Sequence, residues 1–138
     1  MKTGAALRIL VPLAALFLSA CASAPSCPPG LAAGSAIDLY FGRGVPGGRE
    51  VTDAQWRDFV DQVLIREFPD GSTTFDASGT WFSTRQNRTI SERSAMVSVI
   101  VPDARQAAPK VERLIAEYKA RFAQDSVLRA ERAVCFAF

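Results

Sequence analysis

No histidine occurs among the 138 residues, which removes the commonest general base and metal ligand and, with them, any Ser-His or Cys-His nucleophile. Chemistry must come from carboxylates, arginines, tyrosines and three cysteines, Cys21, Cys27 and Cys135. The side chains whose types could hold or transform a ligand are Tyr40, Arg43, Asp76, Trp81 and Glu92, with Met96 and Ile100 expected on the same surface. A carboxylate converging on an arginine or tyrosine in a cavity would be an acid–base or binding device. Asp70-Gly71 and Asp76 read more simply as turn formers. Gly42-Arg43-Gly44 and Gly47-Gly48 line a strand-to-helix loop, but the spacing is neither a P-loop nor a dinucleotide fingerprint.

These residues need a scaffold to position them. Ala36 to Gly42 alternates, with Ile37, Leu39 and Phe41 on one face and Asp38 and Tyr40 on the other, which predicts a strand. Thr52 with Gln55 three residues later is a capping box, and Trp56, Phe59, Val60, Val63 and Leu64 follow on one helical stripe. Phe68-Pro69-Asp70-Gly71 stops that helix. Ser72 to Asp76 and Thr80 to Ser83 read as extended segments bent about Ala77-Ser78-Gly79, followed by a polar loop at Arg85, Asn87 and Arg88. Ala95 to Val101 is a continuous β-branched run, as in a central strand, and Pro102 ends it. A second helix is expected from Ala107 to Ala123, with Pro109 in its first turn. Leu128 to Phe138 alternates as a terminal strand interrupted by Arg132.

Strand, helix, two strands, helix, strand is the order of an α+β, ferredoxin-like βαββαβ sandwich, with two helices on one face of a four-stranded antiparallel sheet. The first and third strands are then central, and the last pairs with the first. The open face would present Tyr40, Met96, Ser98, Ile100 and Val127, with Arg43, Asp76, Trp81 and Glu92 near its rim. So apolar a face suggests a homodimer or an envelope-protein partner first, and a ligand pocket second.

Residues 1–20 have positive Lys2 and Arg8, an apolar run from Ile9 to Leu18 and small residues after it, the pattern of a removable secretory signal. Leu18-Ser19-Ala20-Cys21 resembles the lipobox of bacterial lipoproteins. The resemblance implies diacylglycerol on Cys21, cleavage before it and anchoring to a membrane through acyl chains. Ala22 rather than Asp at the next position favours the outer membrane, facing the periplasm. Residues 21–35, rich in Ala, Ser, Pro and Gly, would be the lipidated cysteine and a flexible tether, and residues 36–138 a single domain. In an oxidising compartment Cys27 and Cys135 either pair or remain two free thiols, and pairing is the first expectation. With lipid on Cys21 and the others paired, no metal site and no cofactor is expected. The signal holds two of the 16 basic residues and none of the 14 acidic ones, so the remainder balances and nucleic acid is not an expected partner.

Tyr40-Phe41-Gly42-Arg43-Gly44, the Trp56 helix, Phe68-Pro69-Asp70-Gly71 with Asp76, Gly79 and Trp81, and Tyr118-Lys119 through Phe122, Gln124 and Ser126-Val127-Leu128 resemble a family of small Gram-negative lipoproteins catalogued as a domain of unknown function. The resemblance spans about residues 38–138 and carries no catalytic residue. The functional expectation is a lipid-anchored, non-enzymatic contact or small binding module, with a small periplasmic enzyme or ligand-binding protein using the open face as the alternative.

Overall fold

A computed structural model of the chain describes residues 26–84 and 86–138. Its elements run β1 (Ala32–Gly42), β2 (Gly44–Val45), β3 (Arg49–Glu50), α1 (Asp53–Phe59), a π-helical stretch (Val60–Leu64), α2 (Ile65–Glu67), β4 (Thr73–Ser83), β5 (Arg88–Val101), α3 (Ala104–Phe122) and β6 (Leu128–Phe136). The main sheet has four strands in the order β4-β5-β1-β6, every pair antiparallel. The α1–π–α2 run is one continuous helix, which with α3 covers a single face. This is the expected α+β, ferredoxin-like arrangement, with β1 and β5 central and β6 beside β1.

Alternation explains the buried layer. Ile37, Leu39 and Phe41 of β1 and Ala95, Val97 and Val99 of β5 point at the helices and are essentially inaccessible. The first helix starts where Thr52 and Gln55 exchange both capping hydrogen bonds, and it buries Trp56, Phe59, Val63 and Leu64. From α3 come Val111, Leu114, Tyr118 and Phe122. Phe41, Trp56, Phe59, Tyr118 and Phe122 meet in tilted and edge-on contacts, with Phe41 and Tyr118 centroids 4.7 Å apart, the geometry that ring quadrupoles favour.

Four boundaries depart from expectation. β1 begins at Ala32 because Ala32 to Ser35 pair with Phe136 to Ala133, so part of the supposed tether is strand. α3 begins at Ala104, since the Asp103 carboxylate accepts from the N–H groups of Arg105 and Gln106, which leaves Pro109 inside the helix rather than in its first turn. β4 is one unbroken strand with no bend at Ala77-Ser78-Gly79. β5 starts at Arg88 instead of Ala95.

The last two have a common cause. β1 ends opposite Ser94, whereas β4 and β5 stay paired through Ser78↔Arg93 out to Ser83↔Arg88. Those six pairs make a two-stranded arm about 20 Å long that projects beyond the sheet. Both its faces meet solvent, so its residues need no apolar alternation. At the other end of the sheet Cys27 and Cys135 form a disulfide, with Cα atoms 5.5 Å apart, across a sequence separation of 108. Cys21 and the residues read as a secretory signal lie outside the described residues. Among the described residues, no helix is long and apolar enough to cross a membrane.

Candidate functional site

Where β1 ends, Gly42-Arg43-Gly44 turns the chain into the β2–β3 hairpin, and this short segment is held from every side. The Arg43 N–H donates to the Arg93 carbonyl at 2.9 Å, which continues the sheet by one residue. The Arg43 side chain is 1% exposed. Its Nε and Nη2 donate to the Val51 carbonyl at 2.8 and 2.6 Å, and Nη2 also reaches Asp53 Oδ1 at 2.7 Å. Tyr118 Oη donates to the Gly42 carbonyl at 2.9 Å, and Gln124 Nε2 to the Gly44 carbonyl at 2.6 Å.

The last grip comes from Glu92 on the arm, whose Oε2 accepts from the Gly44 N–H at 3.1 Å. This carboxylate explains both glycines. A Cβ on Gly42 would stand 2.8 Å from Glu92 Oε1, and one on Gly44 would collide with Oε2. Without side chains at these two positions, the carboxylate lies directly on the backbone.

Charge around the segment is arranged to match. The guanidinium groups of Arg43 and then Arg93 hydrogen-bond the Asp53 carboxyl and hold it below the usual carboxylate range. Arg93 is engaged on its other side by Glu50 at 3.1 Å. Burial raises the Tyr118 hydroxyl well above an ordinary tyrosine, opposed by nearby Arg43 and reinforced by Glu92. Tyr118 is therefore a neutral donor and no base.

A cleft of about 1540 Å³ lies between this segment, the arm and the loop after α3. Tyr40, Trp81, Ile90, Glu92 and Leu128 contribute to its walls, and Gly42 and Gly44 to its floor. Trp81 is 51% exposed, an indole turned toward open space rather than core. A carboxylate with spare acceptor capacity, diagonal to an exposed indole across the β4–β5 pair, is suited to a positively charged or hydrogen-bond-donating group of an organic molecule.

Of the residues singled out in the sequence, Tyr40, Trp81 and Glu92 line this cleft at different depths: Trp81 lies diagonal to Glu92 across the β4–β5 pair, and Tyr40 lies opposite Met96, further along the sheet. Arg43 does not: its guanidinium is consumed beneath the loop, so it positions the floor and cannot touch a ligand. Asp76 pairs with Ala95 on the helix-facing side of β4, opposite to the face that carries Glu92, and so lies outside the site. Met96 and Ile100 sit on the open face, further along β5 and away from the cleft walls. Val127, expected on that face, instead packs against the core.

The open face also differs in character from expectation. Asp38 is 4% exposed there, accepting from Ser98 Oγ at 2.7 Å and pairing with Arg132. Its neighbour Ala36 is fully buried. Arg132, read only as an interruption of the terminal strand, is the signal that a carboxylate faced it. Gln124 stood among the residues that carry the family resemblance, but a glutamine just past a helix end gave no indication that it grips the Gly44 carbonyl. Among the described residues no group of three or more His, Cys, Asp or Glu side chains could hold a metal ion, and no buried side-chain polar atom lacks a partner.

Residues 36–138 match the model of the family described as "Protein of unknown function (DUF3574)", and the chain belongs to that family. No curated protein sequence matches it. Solved structures with the same fold include a phage SAM lyase in complex with S-methyl-5'-thioadenosine, at TM-score 0.57 and 17% identity, covering 76% of this chain and 90% of that one. The apo phage SAM lyase aligns at TM-score 0.57 and 16% identity over 84% of this chain and 97% of that one. This corrects the expectation of a non-enzymatic contact module, since the fold is one on which a phage protein of nearly the same extent is an enzyme. At such identities the likeness is one of fold alone.

Proposed function

We propose that this member of the family is a small enzyme, lipid-anchored through Cys21 on the periplasmic side of the outer membrane, that takes a nucleoside-sized organic molecule into the cleft beneath its arm. The observation that carries this reading is the Glu92 carboxylate seated on the Gly42 and Gly44 backbone inside a cleft walled by Tyr40 and Trp81. Glu92 would hold a positive charge on the substrate or accept a proton from it. Trp81, diagonal to Glu92 across the β4–β5 pair, would stack on its ring or face its cation. Arg43, Asp53, Tyr118 and Gln124 are positioning residues: they fix the backbone on which Glu92 rests, and fixed dipoles and charges are what an active site uses.

The named ligand of the phage structure, S-methyl-5'-thioadenosine, supplies the first probe, with S-adenosylmethionine as its cationic counterpart. Isothermal calorimetry on the full chain should show binding of at least one of the two. Glu92→Gln keeps the shape and removes the charge, so it should weaken a cationic ligand about tenfold or more, equivalent to ~1.4 kcal/mol. If neither compound binds, or if the variant binds the cation as the wild type does, the assignment of Glu92 is wrong.

A further inference from the structure

We infer that β4 pairs with β4 of a second copy of this chain about a two-fold axis at Ser78, joining two four-stranded sheets into one and setting Phe75 of each copy against Trp81 of the other. The pairing goes beyond the proposed activity and does not depend on it.

β4 is an outer strand of the sheet and is eleven residues long. The direction of its free backbone groups follows from its neighbour. The Arg93 carbonyl accepts from the Arg43 N–H on the β1 side of β5, so Arg93 points away from β4, and Ser78 opposite it points away from β5. By alternation Thr74, Asp76, Ser78, Thr80 and Phe82 all turn their N–H and C=O groups outward. Among the described residues, no backbone group pairs with them. Edge strands are ordinarily blunted by Lys, Pro, bulges or charge. β4 runs unbroken and has neither Lys nor Pro, and its single charged residue is Asp76. Phe75, Trp81 and Phe82 stand on it half-exposed or more. The arm adds a further demand, because a two-stranded ribbon with solvent on both faces is marginal in water.

The order of residues in the strand favours a second copy as its partner. A two-fold axis through an antiparallel pair sets one residue opposite its own copy. With Ser78 there, Thr73 faces Ser83, Thr74 faces Phe82, Phe75 faces Trp81, Asp76 faces Thr80 and Ala77 faces Gly79. Small residues meet at the centre, aromatic meets aromatic, and each carboxylate meets a hydroxyl. An axis at Asp76 would bring two carboxylates directly opposite, which is destabilising. At Ala77 or Gly79 it would set Phe75 against Gly79 or Ser83 and lose the ring pair. In the Ser78 register the outward residues exchange about ten backbone hydrogen bonds, and Phe75 and Trp81 fall at the closely approaching positions between them, on the sheet face that carries Glu92.

Half of an aromatic side chain is about 100 Å², so the three exposed rings of each copy together bring about 600 Å². The paired strands need to supply a similar area to reach the ~1,200 Å² of a specific interface. Each arm then lies along residues 73–77 of the other copy, which are backed by β5 and β1, and is no longer an isolated ribbon. Trp81 lines the cleft, so Phe75 of the second copy extends that wall.

Native mass spectrometry of the full chain should count two copies. In NMR hydrogen exchange, the outward amides of Asp76, Ser78 and Thr80 should be as slow as the inward amides of Ala77 and Gly79, whereas a free edge would leave the outward set fast. Phe75 and Trp81 stand six residues, about 20 Å, apart in one strand, so a nuclear Overhauser contact between their rings arises only between copies and reads the register. Thr80→Pro removes an outward N–H and no bond to β5. It should leave one copy, with the slow outward exchange and the ring contact both lost. Phe75→Lys serves if the proline unfolds the arm, since a lysine on the edge opposes pairing and leaves the β4–β5 bonds untouched. Slow exchange at Leu39 and Val97 in either variant shows that the sheet is intact. A wild-type chain that is single or trimeric overturns the pairing. So does a dimer with fast outward amides, one without the Phe75–Trp81 contact, or one that persists in both variants with the sheet intact.

Discussion

On the helix-covered side of the sheet, Ile37, Leu39, Phe41, Phe59, Leu114 and Tyr118 are held by packing, and any residue of similar shape would serve. At the cleft end the chain is held instead by specific polar contacts: Arg43 on Val51 and Asp53, Tyr118 on Gly42, Gln124 on Gly44 and Glu92 over both glycines. The first region is stable because apolar area leaves water. The second is ordered because its donors and acceptors are all taken up by specific partners. Tyr118 belongs to both, its ring in the aromatic cluster and its hydroxyl beneath the loop. A site built the second way spends little apolar area and leaves the arm free to meet a ligand.

Substitutions should separate the two regions by what they change. Phe59→Ala removes the ring at the centre of the aromatic cluster and should cost about 3–5 kcal/mol in denaturant unfolding. A loss under ~1 kcal/mol would mean that the core tolerates a void there. Arg43→Met keeps much of the volume but leaves the buried Val51 carbonyl without its donor, an expected cost of about 1–3 kcal/mol by the same measurement. Ligand affinity should fall with it, because the floor of the cleft loosens.

Tyr118 offers a test by pH. Its folded-state value is raised above the ordinary 10.0, so the unfolded chain releases the phenolic proton first, and stability should fall as pH rises above about 10. Urea midpoints from pH 8 to 11 should decline more steeply in the wild type than in Tyr118→Phe, and parallel profiles would show that the hydroxyl is not held neutral. Gly44→Ala should shift unfolding by under about 1 kcal/mol, since Glu92 can swing away. It should nonetheless abolish binding by displacing the carboxylate, and calorimetry separates these two effects. Asp76→Ala should alter neither stability beyond about 0.5 kcal/mol nor binding, in keeping with its place on the other face.

The sequence made the packed region legible and the gripped one only in part. Period-two alternation at Ile37, Leu39 and Phe41, and the helical stripe from Trp56 to Leu64, follow directly from burial, so the fold order was readable. The Cys27–Cys135 pairing followed from two cysteines being left in an oxidising compartment, and the expected place of the last strand beside the first agreed with it. The arm was not readable, because its paired residues 78–83 and 88–93 have solvent on both faces and carry no periodic signal. Nor was the structural role of Arg43: its partners Val51 and Asp53 are near in sequence, yet the type of residue gives no indication that its charge is turned inward. Asp76 was misplaced because the expected bend at Ala77-Ser78-Gly79 would have redirected its side chain, and the unbroken strand fixes it on the helix side.

The two tryptophans sit one in each region, Trp56 8% exposed in the core and Trp81 51% exposed in the cleft, and they test the central claim directly. In an amide and indole NMR titration with S-methyl-5'-thioadenosine or S-adenosylmethionine, the Trp81 indole and the Gly44 amide should shift together and saturate at one affinity while the Trp56 indole stays in place. Shifts at Trp56 alone, or none at Trp81 and Gly44 with either compound, would contradict a ligand site organised by Glu92.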